Sequence, residues 1–340
     1  MRASRLLFVL VALALILVVG VGGVAIYLNS PTGAPPGRFA VEPGQTVRSV
    51  ADDLASAGFV RSAPALVGWL RLTGRDTRVG EGLYDLSGEL SLTQVADRLA
   101  AGGQPLTVRV LIPEGFRMKD VARELARGEL GEEGEILAYL RSAGAELGEP
   151  RLPPGATLEG FLFPATYEFG RNGGYRPAVR QMVQRALQEI ERPGRMERAA
   201  ELGLSPYEWV VLASIVQAEA GNLAEKAVIA GVFLNRLDLR MGLNADPTVA
   251  YGLDKDLNQL DRIGGDFESD TPYNTYRYRG LPPGPISNPG AAALTAVLEP
   301  VRTNEAGEAY LYFLHGRDGR FHPNTNFQDH TRDRNRYLMR

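Results

Sequence analysis

One carboxylate in this chain stands where its surroundings would change its chemistry. Glu219 lies within Ser205 to Gly221, SPYEWVVLASIVQAEAG, seven residues past Leu212, four past Ile215 and three past Val216. On a helix this spacing lays its side chain over an apolar turn. A carboxyl desolvated there has its pKa raised, which is what a general acid needs at neutral pH. The pattern alone leaves a plainer alternative open, in which Glu219 points to water at the helix end or pairs with Lys226.

The helix that carries Glu219 has a legible beginning and end. Ser205 can cap it, Pro206 suits its first position, and Glu208 completes a capping box. Trp209, Leu212, Ile215 and Val216 predict an apolar face, and Gly221 a stop. Asn222, with Glu225 three residues on, predicts the start of the next helix, so Glu219 falls at a junction.

Beyond Gly242 the chain turns polar and aromatic. LNADPTVAYG (243–252), TPYNTY (271–276) and GLPPGPISNPG (280–290) carry too many prolines and glycines for regular helices or central strands. Tyrosines with Asn and Asp on stiff loops suit a sugar cleft, ring faces meeting the pyranose and amides its hydroxyls. Ordinary surface loops are the alternative. Asp246 and Glu159 are the carboxylates that could partner Glu219, at a distance sequence does not supply. His315, His322 and His330 match no metal-binding spacing and predict structural or peripheral roles. No nucleotide-binding, nucleophile-elbow or pyridoxal-phosphate signature stands out, so neither cofactor nor metal is expected.

With 340 residues, 44% hydrophobic and 23% charged, the chain can build two or three ordinary domains. A net charge of −3 without a basic run argues against nucleic-acid binding. The absence of cysteine excludes disulfides and thiolate metal sites. Leu6 to Leu28 holds no charged side chain, about 35 Å of helix against a hydrocarbon core of about 30 Å. Arg2 and Arg5 precede it, which predicts a single-pass anchor in the inner membrane with a cytoplasmic N-terminus and an extracytoplasmic remainder. A cleaved signal peptide is the alternative. Residues 29–37 then predict a Pro/Gly linker giving stand-off from the membrane.

An internal repeat follows. Val41, Gly44, Val47, Val50, Ala51, Leu54 and Ala55 recur as Ile112, Gly115, Met118, Val121, Ala122, Leu125 and Ala126 at one constant offset. Each copy predicts a strand, a turn and an amphipathic helix, and a further such helix, Val95 to Ala100, starts after Ser91. The opening at Val41 to Leu54 resembles a LysM domain, a small glycan-binding fold; a module that only packs on its neighbour is the equal alternative.

LEGFLFPATYEF (158–169), LASIVQAEA (212–220), LNADPTVAYG, YNTY, GLPPGPISNPG and the closing LYFLHGRDGRFHPNTNFQDH together resemble the endolytic murein transglycosylases, the MltG or YceG-like family, over the whole chain. The resemblance implies an α+β fold: residues 1–5 cytoplasmic, an anchor at 6–28, a linker at 29–37, a LysM-like region at 38–157 and a mixed α/β catalytic domain at 158–340. It also implies cleavage of the MurNAc-β-1,4-GlcNAc bond within peptidoglycan strands to leave 1,6-anhydro ends, ending nascent strand growth, with Glu219 as acid and then base. Many members have a second glutamate where this chain has Gln217. Asp246, Tyr273, Asn274, Tyr276, Asn326 and Glu159 are the expected substrate contacts, and peptidoglycan synthases the expected protein partners. A non-catalytic scaffold and a hydrolytic muramidase remain the competing readings.

Overall fold

A computed structural model describes residues 2–147 and 152–339. Residues 148–151, part of the glycine-containing stretch 128–156 from which the sequence draws no functional expectation, lie outside the described residues, as do Met1 and Arg340. The chain divides into two compact units, Met1–Val108 with Gly170–Asn172, and Arg109–Phe169 with Gly173–Arg340. The second repeat copy therefore belongs with the Glu219 helix rather than with the first copy, and the division does not fall at 157/158.

The first unit begins with helix α1 (Arg2–Asn29). Its segment Leu10–Asn29 has a mean hydropathy of 2.7 and none of it is buried. Strand β1 (Gly37–Val41), helices α2 (Val47–Ser56) and α3 (Ala63–Leu72) and strand β2 (Gly82–Leu86) follow, β1 and β2 pairing antiparallel with Phe39 opposite Tyr84. Helix α4 (Leu92–Ala101) closes the unit, capped by Ser91 in a full capping box. Val50, Leu54, Leu66, Leu70, Val95 and Leu99 form its core, each such side chain contributing about 1.5–3 kcal/mol.

Residues 29–37 are not a free linker. The segment is tied by two backbone bonds to the turn after β2, Gly33 N to Gly88 O at 2.9 Å and Gly88 N to Ala34 O at 2.8 Å. A Cβ on Gly88 would lie 1.8 Å from Ala34 N, so only glycine permits this approach. Arg61 donates to Pro31 O at 2.7 Å and lies over the Tyr27 ring at 4.9 Å, while Asn29 Oδ1 accepts from Thr93 N.

The repeat recurs as predicted, with one helix more per copy. Strand β3 (Thr107–Ile112), helices α5 (Met118–Arg127) and α6 (Glu133–Glu146) and strand β4 (Ala165–Gly170) reproduce the strand–helix–helix–strand order, β3 pairing with β4. Gly44 and Gly115 share φ 80°, the left-handed turn that only glycine enters freely. The copies differ in capping: Thr46 caps α2 with its own hydroxyl, whereas the α5 N-terminus, lacking such a residue, binds a carboxylate from elsewhere in the second unit.

The rest of the second unit consists of α7 (Tyr175–Ile190), α8 (Arg195–Glu201), α9 (Pro206–Glu219), α10 (Leu223–Asp238), α11 (Asp246–Gly252), α12 (Ala291–Leu298), the hairpin β5 (Tyr312–His315) and β6 (Phe321–Asn324), and α13 (Phe327–Tyr337). Helix α9 is its axis. Trp209 to Val216 are all buried, so over these two turns the helix has no solvent face and the single apolar stripe expected from the sequence becomes its whole circumference. Trp209 Nε1 donates to Leu294 O on α12 at 2.9 Å, and Ser214 Oγ accepts from Ile286 N in the proline-rich loop. Helix α11 corrects the expectation that its segment stays irregular: Pro247 falls in the first turn, where its missing N–H costs nothing.

Candidate active site

Glu219 is the last residue of α9, and the chain beyond it is held rigidly. Asn222 caps α10 through Ala224 N and Glu225 N, and Glu225 accepts from Gly221 N at 2.8 Å and from His315 Nε2 at 3.0 Å. Burial alone would raise the Glu225 pKa, but the bonds from His315 and Gly221 outweigh it and hold it below the usual carboxylate range. Lys226 turns instead to Gln217 Oε1 (3.0 Å) and Glu114 (3.3 Å). The sequence alternative of a Glu219–Lys226 pair is therefore not formed.

Glu219 faces a cavity of about 870 Å³. Arg236 from α10, Asp246 from α11, Tyr276 from the YNTY loop, Tyr312 and His315 from β5, and Phe327 and His330 from α13 line it. The Glu219 carboxyl is pushed up to about 8, first by burial and then by the negative charge of Asp246, with Arg236 working against both. It is therefore protonated at neutral pH and able to give up a proton. Asp246, the other carboxylate lining this cavity among the described residues, accepts from the Tyr276 hydroxyl and pairs with Arg262 at 3.4 Å. A second cleft, of about 740 Å³, lies at the other end of α9. Its two acids are committed elsewhere, Glu208 to the Ser205 cap and Asp238 to Arg302.

The family model for the YceG-like family matches residues 39–336. The chain belongs to the YceG-like family. Its relatives include a Bacillus subtilis (strain 168) protein named endolytic murein transglycosylase, 27% identical over 87% of this chain and 83% of the relative. A Streptococcus pneumoniae (strain D39) protein of the same name is 25% identical over 85% of this chain, which spans 56% of that relative's length. A crystal structure of a putative YceG-like protein from Listeria monocytogenes superposes with a TM-score of 0.59 at 25% identity, covering 88% of this chain and 99% of that one.

Within this YceG-like site the expected residues divide. Glu219, Asp246 and Tyr276 come together in the cavity. Asn274 does not: it is fully buried, its amide donating to Phe267 O and Ser269 O and its Oδ1 accepting from Tyr276 N, so it shapes the loop. Glu159 is buried as well. It accepts from Met118 N at 2.9 Å, Tyr251 Oη at 3.2 Å and Asn288 Nδ2 at 3.2 Å, and is the carboxylate that caps α5. Burial lifts its pKa to about 7 against those donors. Neither Asn274 nor Glu159 has a group left for a substrate. Tyr273 packs on Tyr251 at 4.8 Å, outside the residues lining the cavity, and Asn326 caps α13 beside it.

Sequence reasoning passed over Arg236, which is buried with Nε donating to Leu311 O and Nη1 to Leu243 O, both at 2.7 Å. It read His315 and His330 as structural or peripheral; both line the cavity, and His315 also braces Glu225. The YceG-like loops owe their shape to Asn288, whose Oδ1 accepts from Leu162 N and whose Nδ2 donates to Phe116 O. Among the described residues no cluster of His, Asp and Glu is arranged to hold a metal.

Proposed function

We propose that this chain is an endolytic peptidoglycan lytic transglycosylase whose single acid/base residue is Glu219. The observation that carries this reading is a carboxyl with its pKa raised to about 8 at the end of a buried helix, opening on a cavity large enough for sugar rings. The names of the relatives support the substrate class.

Protonated Glu219 gives its proton to the glycosidic oxygen between MurNAc C1 and GlcNAc O4, and the C1–O4 bond breaks through an oxocarbenium-like state. The carboxylate left behind takes the proton of the muramoyl C6 hydroxyl as that oxygen bonds to C1. The products are a 1,6-anhydro end and a free GlcNAc 4-hydroxyl, with Glu219 protonated again. Because the nucleophile is part of the substrate, one carboxylate suffices, where an ordinary glycosidase uses two at a set separation. Asp246 favours a second reading, a hydrolytic muramidase with Asp246 activating water.

Helix α1 supports a single-pass inner-membrane anchor with the remainder extracytoplasmic, consistent with strand termination near the site of synthesis and with synthases as neighbours. The strand–helix–helix–strand order of both repeat copies supports the LysM-like reading. The deciding experiment is mass spectrometry of un-crosslinked glycan strands incubated with the full chain in detergent, with Glu219→Gln beside it. Internal fragments with anhydro ends from the wild type alone are expected. Reducing ends would establish the hydrolase, and equal anhydro products from a folded Glu219→Gln variant would remove Glu219 from the chemistry.

A further inference from the structure

The cavity carries more positive charge than proton transfer requires. Arg236, Arg262 and Arg334 line it, in a chain of net charge −3. Arg262 is committed to Asp246 and lies 3.8 Å over the Phe267 ring. The other two belong to one cluster built around Tyr312. The Arg236 guanidinium lies 5.2 Å from the Tyr312 centroid, the His330 ring stacks on Tyr312 at 5.3 Å and 25°, and Arg334 follows His330 by one turn of α13. His330 senses both guanidinium groups: burial and the charges of Arg236 and Arg334 together lower its pKa, so it stands there as a neutral ring.

Neither arginine forms a salt bridge among the described residues, and the carboxyl that Arg236 does face, Glu219, is protonated at neutral pH. Asp333, on the same helix as Arg334, is taken up by Asn324 at 2.8 Å and Arg332 at 3.8 Å. Arg236 is held in place by backbone carbonyls, which orient it without neutralising it, and its Nη2 has no partner among the described residues. Fixing a cation at a cavity wall in this way is unfavourable unless an anion from outside completes it. A guanidinium fork is matched to a carboxylate.

We propose that Arg236 and Arg334 form a subsite for a carboxylate carried by the muramoyl unit of the glycan. The inference rests on the reading of the cavity as a muramoyl-glycan cleft and deepens it. N-acetylglucosamine is neutral, whereas each muramoyl unit bears a 3-O-lactyl group whose carboxyl is either free or amide-linked to a stem peptide with carboxylates of its own. A cationic subsite in the Glu219 cavity thus sets the register of the strand, bringing the bond on the muramoyl C1 to the acid rather than the bond on the glucosaminyl C1.

The test is direct binding to the full-length Glu219→Gln protein in detergent, which holds substrate without consuming it. Three strands of equal length are compared: denuded with free lactyl carboxylates, denuded with those carboxylates converted to methylamides, and stem-bearing. The neutral strand is expected to bind about tenfold or more weakly, the value of one charge-assisted contact. Arg334→Gln, which loses no hydrogen bond among the described residues, and Arg236→Gln, checked for folding by its thermal midpoint, should each erase the difference. Tight binding of the free-lactyl strand assigns the anion to the lactyl group, and tight binding confined to the stem-bearing strand assigns it to the peptide. Equal affinity for all three strands, or discrimination that survives both substitutions, overturns the subsite. No binding of any strand removes the glycan reading itself, and the subsite with it.

Discussion

The Tyr276 hydroxyl donates to Asp246, and Asp246 is the charge that, after burial, does most to keep a proton on Glu219. A residue of the YNTY loop thereby holds in place a residue of the LNADPT segment. The link is reinforced beneath by Thr275 Oγ1, which accepts from Ala245 N at 3.0 Å and lies 2.8 Å from Thr248 Oγ1.

The pH dependence of kcat/KM follows from this arrangement. The proposed mechanism needs protonated Glu219, so the rate should fall as pH rises through about 8. Replacing Asp246 by Asn removes the repulsion but keeps the side chain's shape, and the Glu219 pKa drops. The alkaline limb of the profile should therefore move to lower pH in Asp246→Asn. A limb that stays in place, measured by product release across pH 5 to 10, would show that Asp246 does not act on Glu219.

Glu159 should govern stability rather than turnover. Its pKa is raised from the ordinary carboxylate value to about 7 by burial, so the folded state binds a proton more tightly than the unfolded one. The stabilisation is complete below the unfolded value and is lost as pH rises through about 7, a span worth on the order of 3 kcal/mol. Glu159→Gln carries no such charge, so relative to wild type it should gain stability between pH 4 and 8, by urea denaturation, with activity per folded molecule retained. A constant difference across that range would count against the buried-acid assignment.

Removing the brace beyond α9 should cost both fold and activity. Glu225→Ala leaves Gly221 N–H without its acceptor, a loss of about 1–3 kcal/mol. The folded pKa of Glu225 is depressed, so its contribution is present above the unfolded value and disappears as pH falls through the lower folded one. The stability gap between wild type and variant should therefore narrow toward acid pH. Turnover should also fall at neutral pH, because the end of α9 is no longer fixed.

Gly231 sets how closely α10 approaches the chain after α12. A Cβ there would lie 2.0 Å from Val301 O, a contact that requires the backbone to move. Gly231→Ala should lower stability by about 1–3 kcal/mol despite the better helix propensity of alanine, and its thermal midpoint should fall. A raised midpoint would mean that the two segments separate freely.

Much of the frame was legible in the residues because the signals were local. The Ser205 capping box, the Asn222 cap and the turn-and-helix pattern within each repeat copy each lie within a few positions and recur in the structure. Arg236 was not legible, because its place depends on carbonyls of Leu243 and Leu311, the latter 75 positions away. Asn274 and Asn288 carry amides suited to sugar hydroxyls, but backbone groups consume them, those of its own loop for Asn274 and those of distant segments for Asn288. The tyrosines divide for a similar reason: Tyr276 reaches Asp246 while Tyr273, three positions earlier, is turned to Tyr251. Residue type did not distinguish them; loop geometry did.

The paired backbone bonds between Gly33–Ala34 and Gly88 alter what the segment after α1 can do mechanically. A free chain of that length would let its ends wander over about 15–18 Å and would fix only a maximum distance. Clasped to the β2–α4 turn and clamped by Arg61, it acts instead as a mount, so a tilt or rotation of α1 is passed to the first unit rather than absorbed.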